Sequence, residues 1–130
     1  MNISQAATEC GLPPKTIRYY EEIGLMPAPP RGENGYRHYD PADVALLRFL
    51  RYARELGFGI GECRDLVAFY RDPERASREV KALVADKIAA IDRKLAEFAT
   101  IRTELVRLHA SCRGDSKPDC AILDELAHRT

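Results

Sequence analysis

Between Ala76 and Ala110 the sequence has neither proline nor glycine, and its apolar residues recur at the spacing of one helical face. Most of these residues occupy two complementary positions of a seven-residue repeat: Val84, Ile88, Ile91, Leu95, Phe98 and Leu105. Ile101 and Leu108 continue the same stripe, slightly rotated around the helix. A helix this long cannot bury such a stripe on a small domain. Residues 76–111 are therefore predicted to form a dimerisation helix in a parallel or antiparallel homodimer. The alternative is a helix folded back onto its own domain.

The composition is that of a folded protein without a membrane span. Its 130 residues suit one compact domain, or a small domain with an extended appendage. Apolar residues make up 45% and charged residues 31%, and the net charge is zero, so bulk charge argues neither for nor against nucleic acid. No apolar run reaches the length of a membrane span, and the N-terminus lacks the regions of a signal peptide. We expect a cytoplasmic protein, with reduced thiols and no membrane partner.

Two short helices at about residues 4–23 predict a helix-turn-helix. Ser4 is a candidate cap for the first helix, and Gly11 ends it. Pro14 suits the first position of the second helix, and Gly24 ends that one. The isoleucines of the second helix are predicted to face inward. Its side chains suited to DNA contact are Lys15, Thr16, Arg18, Tyr19 and Tyr20.

A wing is predicted at about residues 31–39. Asn34-Gly35 favours a type I′ hairpin turn, which needs positive φ at both residues, and the flanking tyrosines favour two short strands. Arg31 and Arg37 of this wing are candidate phosphate contacts. The alternative is that these basic residues are an ordinary solvated surface.

Residues 1–75 are predicted to complete the first domain with two more helices. Asp40 and Pro41 are the cap and first residue of one helix, which ends at Gly57-Phe58-Gly59. Its predicted core positions are Val44, Leu47, Leu50 or Arg51, and Ala53 or Leu56. A shorter amphipathic helix ends at Asp72, with the stripe Ile60, Cys63, Leu66, Val67 and Tyr70.

Cys112 and Cys120 enclose a short polar loop within residues 112–130, and Asp119 is the candidate cap of a final short helix. In a reducing compartment a permanent disulfide is disfavoured. Three interpretations of the two cysteines remain open at this point: half of a zinc site, a two-thiolate metal site, or no function at all. Cys10 and Cys63 fall on apolar helical faces and are predicted to be core residues. Nothing resembles a nucleophile with its base or a cofactor motif, so an enzyme is not expected.

The sequence resembles the MerR family of transcriptional regulators. The resemblance is carried by I-R-Y-Y-E-E-I-G-L (residues 17–25), N-G-Y-R-H-Y (34–39) and R-E-L-G-F-G-I (54–60). It implies a mainly α fold: a winged helix-turn-helix DNA-binding domain, a long antiparallel dimerisation helix, and a C-terminal loop and helix that bind the effector. By match of motif it also extends the candidate DNA contacts, which become Lys15, Thr16, Arg18, Tyr19, Tyr20, Arg31, Asn34, Gly35, Tyr36, Arg37 and Arg54.

Within that family the resemblance points to the metal-sensing branch and to its copper efflux regulators. Drug-responsive members carry a larger C-terminal domain, and redox-sensing members use four cysteines. Divalent-metal sensors take another cysteine from the start of the partner's dimer helix, where this sequence has Ser77. Soft Cu(I), like Ag(I) and Au(I), is satisfied by two thiolates in a line, here Cys112 and Cys120. Ser77 and Lys81 are expected beside the ion, with Lys81 as a counter-charge.

The resemblance therefore implies a Cu(I)-responsive dimeric activator of copper efflux or detoxification genes. It would bind double-stranded promoter DNA and distort it when metal binds, so that RNA polymerase engages the promoter. Two alternatives remain open: a divalent-metal sensor of the zinc type, and a thiol redox sensor.

Overall fold

A computed structural model of the protein describes residues 1–129, which are mainly helical, as predicted. Two compact units divide the chain: Met1–Val80, and the segment from Lys81 onward. No strand occurs in the described residues. Residues 1–129 form six helices: α1 (Ile3–Cys10), α2 (Pro14–Glu22), α3 (Pro41–Glu55), α4 (Ile60–Arg71), α5 (Ser77–Ser111) and α6 (Ala121–Ala127).

Asn2, not Ser4, caps α1. The Asn2 side chain accepts the N–H of Gln5 at 2.9 Å, and the Gln5 side chain accepts the N–H of Asn2 at 2.9 Å. This reciprocal pair satisfies two of the four N–H groups that a helix start leaves free. The prediction of Ser4 was wrong because Ser4 lies within the first turn, where its own backbone is helical.

The turn after α1 is built on Gly11, which has φ +74°. Arg51 of α3 reaches over this turn and donates from Nη1 to the carbonyl of Cys10 at 3.3 Å. A Cβ on Gly11 would lie 2.3 Å from the same Nη1 atom. Glycine is favoured here for its left-handed backbone, and any other side chain would also displace the guanidinium of Arg51.

The wing is a loop rather than the predicted two-stranded sheet. Arg31 and Arg37 form an isolated antiparallel bridge. The N–H of Gly35 donates to the Gly32 carbonyl at 2.9 Å, and the N–H of Gly32 donates to the Tyr36 carbonyl at 2.7 Å. Gly35 has φ +81°, but no non-glycine residue of the described chain has a positive φ. The type I′ turn is therefore wrong, and the pattern is that of a three-residue loop closed by a left-handed glycine.

Helices α3 and α4 pack together and carry most of the predicted core. Asp40 caps α3 in a reciprocal pair with Asp43, and Pro41 is its first residue, as predicted. The predicted stripes of both helices are largely buried, whereas Arg51, Leu56 and Tyr70 are exposed. The buried residues of these stripes are Val44, Leu47, Leu50, Ala53, Cys63, Leu66 and Val67, and the unpredicted Leu46 joins them. Cys10 and Cys63 are fully buried, which confirms them as core residues.

Helix α5 covers 35 residues, within one residue of the predicted start, and is about 52 Å long at 1.5 Å per residue. Its apolar stripe is exposed in the single chain from Val84 to Leu105, whereas Leu108 is buried. Exposed apolar side chains in such a row indicate a surface that a partner covers. No helix among residues 1–129 combines the length and apolar composition that crossing a bilayer requires.

Candidate functional site

The two C-terminal thiols lie at the ends of helices and face each other. Cys112 directly follows α5, Cys120 directly precedes α6, and their Sγ atoms are 3.6 Å apart. Both are free thiols and half-buried, whereas residues 113–119 between them are exposed. Two helix ends thus hold the sulfurs, while the loop that joins them is in contact with solvent.

Cys120 has an environment that favours its thiolate. The N–H of Leu123, in the first turn of α6, lowers the pKa of the Cys120 thiol, and Cys112 and the N–H of Ile122 act in the same direction. Cys120 is also the N-cap residue of α6, so the prediction of Asp119 as the cap was wrong. The chain becomes helical one residue later than the sequence pattern suggested. A thiolate is the form that binds metal ions and reacts with oxidants.

An ion-pair network joins α6 to the end of α5. The Arg107 guanidinium donates to the carboxylates of Glu104 in α5 and Glu125 in α6. These hydrogen bonds raise the pKa of Arg107 and hold that of Glu104 below its usual value. The network connects the helix that follows Cys120 to the helix that precedes Cys112.

The thiol pair fits a metal ion held by two sulfurs. With metal–sulfur bonds of about 2.3 Å, two sulfurs 3.6 Å apart subtend an angle of about 100° at a shared ion, so both can bind one ion, and a linear arrangement requires them to separate to about 4.6 Å. Within residues 1–129 no group of three or more His, Cys, Asp and Glu side chains is arranged to hold a metal ion. Ser77 and Lys81 are exposed in the first turns of α5, and their place beside the ion stays a prediction.

On α2 the predicted DNA contacts divide into exposed and buried residues. Lys15, Arg18 and Tyr19 are exposed, and Thr16 is half-buried. Tyr20 is only 4% exposed, and this burial is the main reason that its pKa is raised. Of the two tyrosines, the structure therefore favours Tyr19 for direct contact with DNA.

The wing adds basic and polar groups beside α2. Arg31 donates from Nη1 to the Gly35 carbonyl at 2.8 Å, and the Asn34 side chain accepts the N–H of Tyr36 at 3.1 Å. Tyr36 is 71% exposed. A pocket of about 560 Å³ opens between the wing, α1 and α2, lined in part by Arg18, Arg31, Asn34, Tyr36 and Arg37. Clustered arginines around an open pocket attract phosphate groups.

Arg54 stands apart from the other predicted DNA contacts. Its Nη1 donates to the Phe58 carbonyl at 3.0 Å, and its charge and hydrogen bonding act on the Tyr20 hydroxyl. These contacts hold Arg54 between the end of α3 and α2, so its contact with DNA stays a prediction.

Sequence reasoning missed Glu21. It follows the buried Ile17 by four residues and so shares the inward face of α2, which is the one signal that indicates its burial. Its side chain is 3% exposed and lies against Arg37 and Tyr39.

Comparison with known proteins places both candidate sites within regions of similarity. The sequence pattern described as MerR HTH family regulatory protein matches residues 1–69, and the pattern described as MerR, DNA binding matches residues 44–108. The HTH-type transcriptional regulator HmrR of Rhizobium leguminosarum bv. viciae is 50% identical over 127 residues, which are 98% of each chain. The HTH-type transcriptional regulator CueR of Salmonella typhimurium is 45% identical over 127 residues, 98% of this chain and 92% of CueR.

A solved structure extends the similarity to the fold. The transcription regulator PbrR691 from Ralstonia metallidurans CH34, in complex with lead(II), superposes with a TM-score of 0.87 at 33% identity. The match covers 97% of this chain and 98% of that chain. Because these matches span nearly the whole chain, they include the helix-turn-helix and the segment with both C-terminal thiols.

Proposed function

The chain belongs to the MerR family of HTH regulatory proteins, and from this we propose that it is a dimeric, Cu(I)-responsive activator of transcription. Its relatives are transcriptional regulators, so it is a metal-sensing regulator rather than an enzyme. The finer proposal concerns the metal, the DNA contacts and the dimer. Each has its own support in the structure.

The observation that carries the choice of metal is the two-thiol donor set: Cys112 and Cys120 face each other, and among residues 1–129 no further His, Cys, Asp or Glu completes a group of three with them. Two sulfurs are a soft donor set, which suits Cu(I) and the related Ag(I) and Au(I) better than a divalent ion that takes four ligands. The bound ion would supply one positive charge to the two thiolates. The lowered pKa of Cys120 keeps one of these sulfurs closer to the thiolate form that binding requires.

The dimer is supported by the exposed stripe of α5. Ser77 and Ser111 are the two ends of this helix, about 51 Å apart along it, so in one chain the start of the helix cannot approach its own Cys112. In an antiparallel dimer the start of one α5 lies near the end of the other. That arrangement would bring the partner's Ser77 and the partner's Lys81 close to each thiol pair, as the family resemblance implies.

The switch is proposed to act through α6. Cys112 and Cys120 would both bind the same ion. This shared ion would fix the exposed loop 113–119 and the start of α6 relative to the end of α5. The dimer would bind a palindromic promoter with or without metal and favour a distorted DNA when metal is bound. Such a distortion costs about 1–6 kcal/mol, so the two protein states must differ in DNA interaction by that order. RNA polymerase would then engage the distorted promoter.

Arg18 is expected to contribute directly to DNA binding because it is exposed on α2 and lines the arginine-rich pocket. Arg18→Ala should weaken binding to a promoter duplex by about tenfold, within the 1–3 kcal/mol range of single contacts. The measurement is a titration followed by fluorescence anisotropy at several salt concentrations. Arg78→Ala, at an exposed arginine in the first turn of α5, is the matched control. Equal affinities of the two variants contradict the placement of Arg18.

Anaerobic titration with Cu(I), Zn(II) and Pb(II) tests the choice of metal. We expect one Cu(I) per thiol pair and metal-dependent transcription from the cognate promoter, with weaker binding and no activation by the divalent ions. Activation by Zn(II) or Pb(II) at lower free concentration than Cu(I) overturns the choice in favour of a divalent-metal sensor. Oxidation of the pair to a disulfide, seen as a mass difference with and without reductant, together with activation by oxidant alone, favours a redox sensor instead.

A further inference from the structure

A buried carboxylate connects α2 to the wing. The Glu21 side chain is 3% exposed, and its Oε1 accepts a hydrogen bond from the Tyr39 hydroxyl. Its Oε2 lies 3.2 Å from Nη1 of Arg37. In the described part of the chain Oε2 has no hydrogen bond of good geometry, so its ion pair is with Arg37. A buried carboxylate is stable only when such a partner is held in place.

Tyr39 fixes the inner side of this contact. It is fully buried, and its backbone N–H donates to the carbonyl of Met1 at 2.7 Å. Burial and the hydrogen bond to Glu21 raise the pKa of Tyr39 well above its usual range. The hydroxyl therefore remains a donor at neutral pH, and the Glu21 carboxylate is held from one side by a rigid phenol.

Arg37 has capacity left for a second partner. A guanidinium has five N–H donors, which is more than the contact between Nη1 of Arg37 and Glu21 uses. The Arg37 side chain is 35% exposed and lines the same pocket as Arg18 and Arg31. Among the described residues, the lining of this pocket contains three arginines and no carboxylate. Glu21 thus lies behind the pocket and acts on it through Arg37.

We propose that Glu21 is a positioning residue for DNA recognition: it holds Arg37 of the wing against α2 at a fixed distance from the side chains that α2 presents to DNA. This inference rests on the proposed DNA-binding function. Glu21 itself does not contact DNA. It keeps the wing arginine oriented before DNA arrives, so that one phosphate contact forms without ordering a flexible side chain.

Glu21→Gln tests the proposal, because glutamine keeps the size of the side chain and an acceptor for Tyr39 while it removes the charge that holds Arg37. The probe is a duplex selected from a random-sequence pool with the native protein. We expect Glu21→Gln to weaken binding about tenfold and to lower the salt slope by about one unit, as loss of one phosphate contact does. Arg37→Met should do the same, and the double variant should bind no more weakly than Arg37→Met alone.

Glu22→Gln, at the exposed neighbouring position on α2, is the matched control and should bind as the native protein does. Additive losses in the double variant overturn the proposal, since they mean that Glu21 does not act through Arg37. Tighter binding by Glu21→Gln also overturns it, because the carboxylate then competes with phosphate. A native protein that selects no duplex removes the proposed function itself, whereas native binding matched by Glu21→Gln removes only the role of Glu21.

A measurement on the native protein covers the case in which Glu21→Gln does not fold. Nitrogen NMR of the free protein should show slow solvent exchange for the Arg37 guanidinium and fast exchange for that of Arg18. Exchange at Arg37 as fast as at Arg18 contradicts a held guanidinium and overturns the proposal.

Discussion

Serine at either Cys112 or Cys120 is expected to abolish the metal response and to leave DNA binding intact. The two sulfurs are 3.6 Å apart and form the whole proposed donor set, so one replacement leaves a single thiolate. Changes beside a metal ligand already cost 10–100-fold in affinity, so loss of a ligand should cost more than about 100-fold. Cu(I) affinity is measured by anaerobic competition titration, and activation by transcription from the cognate promoter.

The control for this experiment is Cys10→Ala, which removes a thiol that is fully buried in the first unit. It should lower the melting temperature slightly and leave the metal response unchanged, because buried cysteine acts as a small apolar side chain. Full copper induction after replacement of both Cys112 and Cys120 would falsify the proposed site. Loss of DNA binding in the serine variants, at native helix content, contradicts the separation of the two functions.

The second large effect is expected from Phe98→Glu, which should convert the dimer to monomers. Phe98 is 66% exposed in the single chain and lies in the middle of the apolar stripe of α5. Burial of one such side chain contributes about 1.5–3 kcal/mol, and a twofold dimer loses the contribution twice. The dissociation constant should therefore rise by a factor of about 10² to 10⁴. Sedimentation equilibrium measures it, and affinity for a palindromic duplex should fall in parallel.

Thr100→Glu is the matched control for this change. Two residues after Phe98 corresponds to a rotation of about 200° around the helix axis, so the same charge is placed on the opposite face. This variant should remain dimeric. If Phe98→Glu also remains dimeric, the stripe of α5 is not the dimer surface. A native protein that sediments as a monomer, and loses stability with Phe98→Glu, favours the alternative of a helix folded back on its own domain.

Local signals were enough to predict most helix boundaries. Helices α2 and α3 begin at Pro14 and Pro41, as predicted. Proline fixes φ, and the Asp40 side chain accepts a backbone hydrogen bond; both effects act within one turn. The long helix was predicted because residues 76–110 contain neither proline nor glycine. The prediction of Ser4 as the cap of α1 was wrong, since Asn2 caps it. Asn2 has the extended backbone of a cap residue, and Met1 before it is held by hydrogen bonds to Tyr39, a contact that no local pattern predicts.

Contacts between residues far apart in the sequence were harder to predict from the sequence. The turn at Asn34-Gly35 follows from the bridge between Arg31 and Arg37, which sets the loop length and so excludes a two-residue turn. Helical spacing from Ile17 indicates that Glu21 faces inward, but its partners Arg37 and Tyr39 lie 16 and 18 positions later, and no periodicity indicates them. At the candidate metal site the sequence predicted the two thiols. The 3.6 Å between them and the cap role of Cys120 required the structure.

The arrangement at Gly11 limits how far this turn can change during evolution. Any other amino acid at position 11 meets an unfavourable backbone conformation, and its Cβ would force the guanidinium of Arg51 to move. Movement of Arg51 relieves the contact but leaves the backbone strain, so no change at Arg51 restores the turn. Random drift in the first two helices is therefore expected to spare this position. Glycine there is a constraint inherited by every descendant that keeps this left-handed turn.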